Sequence, residues 1–341
     1  MNRAYGGAET FPTMRLLTTT LALLLAAATP AGAATFRDRL YNPAAGVMVV
    51  AHRGCHAAAP DQGFASTAPE NSLEALQRCI DLGVDMVETD VRRTKDGALV
   101  IMHDPSVDRT TDGDGPVSKL TLAQFQALRL KGGNEAPPTL EAFLRAARGR
   151  VMVTLHLKGP FAAQAADVAR DVDASEWVLF KARAKEGMSP IVDQPLYRDV
   201  AFMPMVGERA ARHSRQLGEV ITRQASGTRP IAAVETRGLR AKGFAAVRDA
   251  AGAARVRVWI NTLGMSSWKS FVGLAGDRRA LRDPDVSWGR LIDQGASIIQ
   301  TDHPARLLAY LKSRRLREGV SVATVDASSS STTHAALAPA R

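Results

Sequence analysis

Aromatic residues are scarce, at 5% of the 341 residues, and no run of basic residues is interleaved with them. Proteins that bind nucleic acid usually carry such runs, because cations neutralise the phosphates and rings stack on the bases. The formal net charge is nevertheless +10, with the basic residues scattered along the chain. This pattern disfavours nucleic acid as a partner and is compatible with an anionic substrate or transient contact with a membrane surface.

Apolar runs long enough to span a bilayer are lacking after residue 33, and the run near the start is too short. Met14-Arg15 precedes an apolar stretch over residues 16–28, which has the length of a signal-peptide core. Ala-Gly-Ala at residues 31–33 is a small-residue cleavage pattern. We therefore predict cleavage near Ala33 and export to the periplasm or the extracellular space, with an uncleaved membrane anchor as the alternative.

Cysteine is also rare, and Cys55 and Cys79 are the only two in the chain. In an oxidising compartment they could form a disulfide. Because the distance between two cysteines cannot be read from a sequence, their pairing is left open at this point.

Strand and helix patterns alternate along most of the chain, which is typical of parallel β/α folds. The apolar run 47–51, for example, suits a strand that is buried on both faces. Eight or nine such strands favour a (β/α)8 TIM barrel over residues 34–318, and an open doubly wound sheet is the alternative. Residues 319–341, rich in Ser, Thr and Ala, are expected to be disordered. Further strands are predicted at 151–157, 177–180, 201–203, 231–235, 256–262 and 297–301, and helices at 121–129, 139–148, 161–172, 207–223, 241–251, 288–293 and 304–314.

Two acids, Glu88 and Asp90, occupy alternate positions of a predicted strand. Side chains alternate between the faces of a strand, so both carboxylates point to the same side. Paired hard oxygen ligands are typical of a divalent-metal site. The alternative is a solvated strand face without a metal.

A tight turn at Asp96-Gly97 predicts that a second strand returns antiparallel to the first, as a β-hairpin at the barrel mouth. If these two residues are the turn, Lys95 pairs with Ala98, and Asp90 faces His103. The imidazole would then place a proton-transfer group beside the metal.

Four other polar residues are interpreted as structural. Asn71 is the predicted N-cap of a helix that Gly83 ends, and Glu70 is assigned to the same cap. Arg109 is expected to brace its loop, and His56 to lie exposed in the loop that follows the first strand.

Polar residues follow several predicted strands, and in a barrel the carboxyl ends of the strands form one mouth where catalysis takes place. Trp259 either packs in the core or forms a wall of the pocket, where it would contact the substrate. The residues at these strand ends are His52, Arg53, Glu88, Asp90, His156, Lys158, Trp259 and Asn261.

Several short motifs follow one another along the chain, namely His52-Arg53-Gly54, Pro69-Glu70-Asn71-Ser72, Glu88-Thr89-Asp90-Val91, Thr94-Lys95-Asp96-Gly97, His103-Asp104, Arg109-Thr110-Thr111, Val258-Trp259-Ile260-Asn261 and Thr301-Asp302-His303-Pro304. In order and spacing these motifs resemble the glycerophosphodiester phosphodiesterase family. The resemblance covers most of residues 47–158 and 231–312 and is weak between them. It implies a (β/α)8 barrel that hydrolyses glycerophosphodiesters with a divalent metal.

The resemblance assigns roles to individual residues. Glu88 and Asp90 fall on the family's metal-binding carboxylates, and His52 and His103 fall on its acid/base pair. Which histidine is the acid stays open.

Two basic residues, and one position that differs from the family pattern, complete the expected site. Arg53 falls on the family's phosphate-contacting arginine, and Lys158 on a lysine at the mouth. The family usually has an acid two residues before that lysine, as the third metal ligand, and here that position is His156. An imidazole can bind a metal, but it should weaken Ca²⁺ or Mg²⁺ and favour Mn²⁺ or Zn²⁺.

The expected function is metal-dependent hydrolysis of a small anionic glycerophosphodiester to an alcohol and glycerol 3-phosphate. No protein partner is implied. One alternative is an activity like that of lysophospholipase D or sphingomyelinase D, for which residues 181–229 would supply an apolar groove. The other is a phosphodiester-binding protein in which His156 has weakened catalysis.

Overall fold

Eight parallel strands close into a barrel in the computed structural model of this chain, which describes residues 36–263 and 276–317. Closure follows from the pairing of β1 with both β9 and β2. The (β/α)8 barrel is therefore confirmed, and the open sheet is excluded. The short β3 pairs antiparallel with β2 outside the ring. The strands are β1 Met48–His52, β2 Met86–Arg93, β3 Leu99–Ile101, β4 Met152–Leu157, β5 Val178–Arg183, β6 Ala201–Gly207, β7 Ala233–Arg237, β8 Arg257–Asn261 and β9 Ile298–Thr301.

Helices connect most successive barrel strands, as the alternating pattern predicted, but only the 3-10 turns Ile191–Asp193 and Pro195–Tyr197 lie in the described segment between β5 and β6. The predicted helix at 207–223 begins later, because Glu208–Ala210 forms a separate 3-10 turn before it. Among the described residues, no helix combines the length and apolar character needed to cross a bilayer. The α-helices are α1 Phe36–Tyr41, α2 Leu73–Leu82, α3 Leu122–Ala127, α4 Leu140–Ala147, α5 Ala162–Asp171, α6 Ser214–Ala225, α7 Ala241–Ala253, α8 Asp277–Ala280, α9 Arg290–Asp293 and α10 Pro304–Ser313.

The predicted signal segment at 1–33 and the predicted tail at 319–341 lie outside the described residues.

Strand β1 shows why the strands are continuously apolar. Met48 and Val50 belong to the cluster inside the barrel, whereas Val49 and Ala51 pack between the barrel and its helices. Both faces are thus buried, and each large apolar side chain removed from water contributes about 1.5–3 kcal/mol. This packing fixes the strand ends, where the polar side chains lie.

The helix cap at α2 differs from the prediction. Ser72, not Asn71, is the N-cap, and its Oγ accepts a hydrogen bond from the Ala75 backbone N–H at 2.9 Å. Asn71 has a left-handed backbone, with φ of 58°, which turns its side chain away from the helix. Gly83 ends the helix as predicted, with φ of 68°.

The hairpin register also differs by one residue. Arg93 pairs with Leu99, and the turn contains three residues, Lys95 to Gly97. Thr94 causes the shift, because its Oγ1 accepts the Ala98 backbone N–H at 3.0 Å while Gly97 adopts φ of 90°. The carbonyl of Asp90 consequently accepts from the backbone N–H of Met102 at 2.9 Å, so the expected pairing of Asp90 with His103 is wrong.

A buried carboxylate organises the opposite end of the barrel. Asp85, just before β2, is fully buried and accepts the Val49 backbone N–H at 2.8 Å. Its two oxygens lie 3.2 Å from Arg39 Nη2 and 3.1 Å from Arg317 Nη2. One carboxylate therefore holds α1 and the segment after α10 against the barrel floor.

Candidate active site at the barrel mouth

The mouth is formed by the carboxyl ends of the parallel strands. His52 ends β1, Glu88 and Asp90 lie on β2, and His156 lies on β4. The register pairs His52 with Glu88 and Asp90 with His156 across neighbouring strands. The structure thus brings together four residues that the sequence predicted for one site.

Glu88, Asp90 and His156 form a compact donor cluster. One ligand atom from each lies within 4.8 Å of the others. His156 Nδ1 is 3.0 Å from Asp90 Oδ1 and 3.5 Å from Glu88 Oε1. Within the described part of the chain, the buried Oε2 of Glu88 receives no hydrogen bond. Two carboxylates with an open acceptor, beside an imidazole, fit a single divalent cation.

The cluster holds its charges in a buried setting. Burial by itself raises the pKa of Asp90, but hydrogen bonds from His156 and Lys158 bring that pKa far below the usual value. The pKa of Glu88 is also lowered, although burial and the Asp90 charge oppose the change. Burial lowers the pKa of His156, and its contacts with the two acids more than reverse this. Both acids are therefore carboxylates at neutral pH.

Asp90 also contacts two neighbouring cationic side chains. Lys158 Nζ lies 2.8 Å from its Oδ1, and Arg53 Nε lies 3.5 Å from its Oδ2. Asn71 Nδ2 donates to the same Oδ2 at 3.1 Å, and Asn71 Oδ1 accepts from Thr89 Oγ1 at 2.8 Å. Asn71, assigned from the sequence to a helix cap, instead orients this carboxylate.

His52 lies between two carboxylates. Its Nδ1 is 2.7 Å from Asp302 Oδ1, and its Nε2 is 3.9 Å from Glu88 Oε2. Asp302 is held in turn by its own backbone N–H, which donates to Asp277 Oδ2 at 2.7 Å. His56, predicted to be exposed, has only 25% of its side chain exposed and lies 3.6 Å from Asp302. His56 therefore lies beside the mouth, which the sequence did not indicate.

His103 has a carboxylate partner of its own. Its Nδ1 lies 2.6 Å from Asp104 Oδ1, and Arg109 Nε donates to Asp104 Oδ2 at 2.5 Å. Burial lowers the pKa of His103, and Asp104 opposes that shift. The hydrogen bond from Arg109 lowers the pKa of Asp104 to about 2. The partner of His103 is therefore ionised at any pH near neutral.

Arg109 links this pair to Arg53. Its guanidinium donates to both oxygens of Glu70, at 2.6 and 3.1 Å. Arg53 Nη1 donates to Glu70 Oε1 at 3.1 Å. Glu70 was assigned to a helix cap from the sequence, but it bridges two arginines at the mouth.

Trp259 lies in the core, which is one of the two positions that the sequence left open. Its side chain is fully buried in the barrel interior, so the predicted contact with the substrate is not supported. Its Nε1 donates to Asn261 Oδ1 at 2.7 Å, and Asn261 Nδ2 donates to Glu235 Oε1 at 2.9 Å. Lys181 Nζ lies 5.7 Å from the centre of the indole ring.

Sequence reasoning missed Lys181 and Glu235, which point into the barrel. Each is a charged residue that directly follows the apolar start of its strand, Val-Leu-Phe-Lys181 in β5 and Ala-Val-Glu235 in β7. A charge at an inward position of a buried strand was the available signal. The role of Asp302 was also missed, since nothing in its motif names His52 as the partner.

The profile of the Glycerophosphoryl diester phosphodiesterase family matches residues 52–239. A second profile, of a domain of unknown function, matches residues 202–311. The chain is 43% identical over 81 residues to the glycerophosphodiester phosphodiesterase of Caldanaerobacter subterraneus, which is 24% of this chain and 30% of that protein. It spans less than half the length of this and other curated relatives that it matches.

Solved structures show the same barrel. A Glycerophosphoryl diester phosphodiesterase from Parabacteroides distasonis has a TM-score of 0.61 and 23% identity, over 82% of this chain and 93% of that one. A phosphodiesterase from Oleispira antarctica, in complex with the product sn-glycerol-3-phosphate, has a TM-score of 0.53 and 22% identity, over 78% of this chain and 97% of that one. At these identities the likeness shows a shared fold.

Proposed function

The chain belongs to the glycerophosphoryl diester phosphodiesterase family, and we propose that it hydrolyses a glycerophosphodiester to an alcohol and glycerol 3-phosphate. The observation that carries this proposal is the convergence at one mouth of a buried acidic cluster and two histidines, each backed by a carboxylate. Cationic side chains complete the set, as a phosphodiester requires.

Glu88, Asp90 and His156 would hold the divalent metal on which the family depends. When bound there, the metal would offset the phosphate charge and polarise a phosphoryl oxygen. Because His156 supplies a neutral nitrogen where an acid is usual, we propose a preference for Mn²⁺ or Zn²⁺ over Ca²⁺ and Mg²⁺.

Arg53 and Lys158 would bind and orient the phosphate. A guanidinium can contact two phosphate oxygens at once, and an ammonium adds a point charge. Arg53 and Lys158 both contact Asp90. The substrate phosphate and the acidic cluster would therefore share these two cations.

His52 and His103 would carry the proton transfers. One removes the proton from the nucleophile, which is water or the neighbouring glycerol hydroxyl, and the other protonates the leaving alkoxide as the P–O bond breaks. Attack by the hydroxyl would give a cyclic phosphate that water then opens. Asp302 and Asp104 each fix the orientation of one imidazole.

Turnover of glycerophosphocholine by the purified chain tests this function. We expect release of choline with Mn²⁺ or Zn²⁺, less with Mg²⁺ or Ca²⁺, and none for Glu88→Gln. Absence of turnover with all four metals would reject the proposed hydrolase activity. Phosphate-ester binding without turnover would instead support a phosphodiester-binding protein, a reading that His156 favours.

We also propose that the protein is exported. The apolar stretch at 16–28 and the cleavage pattern before Ala34 support this, and so does the Cys55–Cys79 disulfide, since such bonds persist mainly in oxidising compartments. Mass spectrometry of the protein recovered outside the cytoplasm should give an N-terminus at Ala34. Recovery of uncleaved protein in membranes would favour the anchor.

A further inference from the structure

Lys181 and Glu235 form a buried ion pair inside the barrel, near its mouth. Lys181 Nζ lies 3.1 Å from Glu235 Oε2, and the exposed fractions of the two side chains are 5% and 2%. Neither residue belongs to the motifs that define the expected site. Burying two charges is costly, which makes this pair a candidate for a functional role.

Contacts with its other oxygen fix Glu235 in place. Asn261 Nδ2 donates to Oε1 at 2.9 Å, and Arg237 Nε lies 3.7 Å from the same atom. Oε2 is left to Lys181, whose ammonium also lies over the indole ring of Trp259. Glu235 thus holds the lysine in one position.

Lys181 also lies close to the acidic cluster. The strand register pairs Thr154 with Leu179, and continuing it by two residues sets Lys181 beside His156 on the neighbouring strand. Because paired residues on neighbouring strands point to the same face, the Lys181 side chain lies beside the acidic cluster.

The replacement of an acid by His156 makes this cation significant. The expected third carboxylate would attract a metal, whereas an imidazole with a lysine beside it makes the site less negative. A less negative site holds a metal more weakly and an anion more strongly.

We propose that Lys181, positioned by Glu235, is a phosphate-binding residue that acts with Arg53 and Lys158. The proposal rests on the proposed function for the identity of the anion, a phosphate ester. It assigns the pair a binding role that the sequence motifs do not.

Calorimetric titration of the full chain with inorganic phosphate and with glycerol 3-phosphate tests this directly. Lys181→Met should weaken both ligands by about tenfold or more, since a hydrogen bond to a charged group contributes about 1.5–3 kcal/mol. Titration with Mn²⁺ alone should give equal or tighter binding. Lys181→Arg keeps the charge and should bind phosphate within a few-fold of the wild type.

Lys185→Met is the matched control, because Lys185 is exposed just beyond β5, and it should bind phosphate like the wild type. Melting curves of all variants identify any that fail to fold. Wild-type affinity for phosphate in Lys181→Met would overturn the proposal, as would a loss that Lys181→Arg does not restore or a wild type that binds no phosphate. If phosphate binding depends on Lys181 but no turnover is found, the proposal for Lys181 stands and only the proposed hydrolase activity is rejected.

Discussion

His52 and Asp302 meet at 2.7 Å between Nδ1 and Oδ1, although 250 positions separate them in the chain. The contact leaves Nε2 of His52 directed toward the acidic cluster, 3.9 Å from Glu88. One nitrogen is thus held by a carboxylate while the other is available for proton transfer, an arrangement typical of catalytic histidines.

Replacing Asp302 should therefore impair catalysis more than binding. In Asp302→Ala the His52 ring loses its acceptor, and kcat for glycerophosphocholine should fall by about tenfold or more, because well-placed acid–base groups contribute about 10²–10⁴-fold. KM should change little, since the phosphate contacts remain. Asp61→Asn, which changes an exposed acid of the loop after β1, is the control. An equal loss in both variants would argue against a specific role for Asp302.

Changing His156 to an acid should alter the metal preference. His156→Glu restores a negative ligand, so the affinity for Ca²⁺ or Mg²⁺, measured by calorimetry, should rise by about tenfold or more. Activity with those ions should rise with it. His213→Glu adds the same charge at an exposed position and should leave the affinity unchanged. An unaltered preference in His156→Glu would mean that residue 156 does not bind the metal.

Removing Arg109 should release the carboxylate beside His103. The hydrogen bond from Arg109 lowers the pKa of Asp104 from 3.8 to about 2, so Arg109→Met should return it toward 3.8. Because the folded-state pKa is depressed, this group stabilises the wild type above pH 3.8, and that stabilisation is lost as pH falls toward 2. Carboxyl chemical shifts in an NMR titration measure the pKa, with Arg129→Met as control. A value that stays near 2 would place the cause elsewhere.

Asp85 should be essential to stability rather than to activity. In Asp85→Asn the buried Arg39 and the partly buried Arg317 lose their shared anion, which should lower the free energy of unfolding by about 3–5 kcal/mol. Urea denaturation measures the change. Asp81→Asn, on the exposed side of α2, should change it by less than about 0.5 kcal/mol. Equal losses of unfolding free energy in the two variants would contradict the proposed contribution of the Asp85 ion pairs.

The barrel and the centre of the site follow from local patterns. Alternating strands and helices predicted the fold, and the alternation of side chains along β2 predicted that Glu88 and Asp90 share a face. Parallel strands place their carboxyl ends together, so His52 and His156 joined them as expected. These inferences needed only the repeat of each element and the direction of the strands.

The errors arise where one side chain overrides a local pattern. The hydroxyl of Thr94 lengthens the turn and shifts the hairpin register, and the left-handed backbone of Asn71 moves the cap to Ser72. Partners such as Asp302 for His52, or Glu235 for Lys181, depend on how distant strands meet. No spacing in the sequence encodes those meetings.

The ion pairs of Asp85 have a practical consequence for the two ends of the barrel domain. Arg39 and Arg317 reach the same carboxylate, so the polypeptide enters and leaves the domain at neighbouring points. That floor lies at the amino ends of the strands, opposite the mouth. A short linker could therefore join these points in a circular permutant, and a fused tag or surface tether would leave substrate access open.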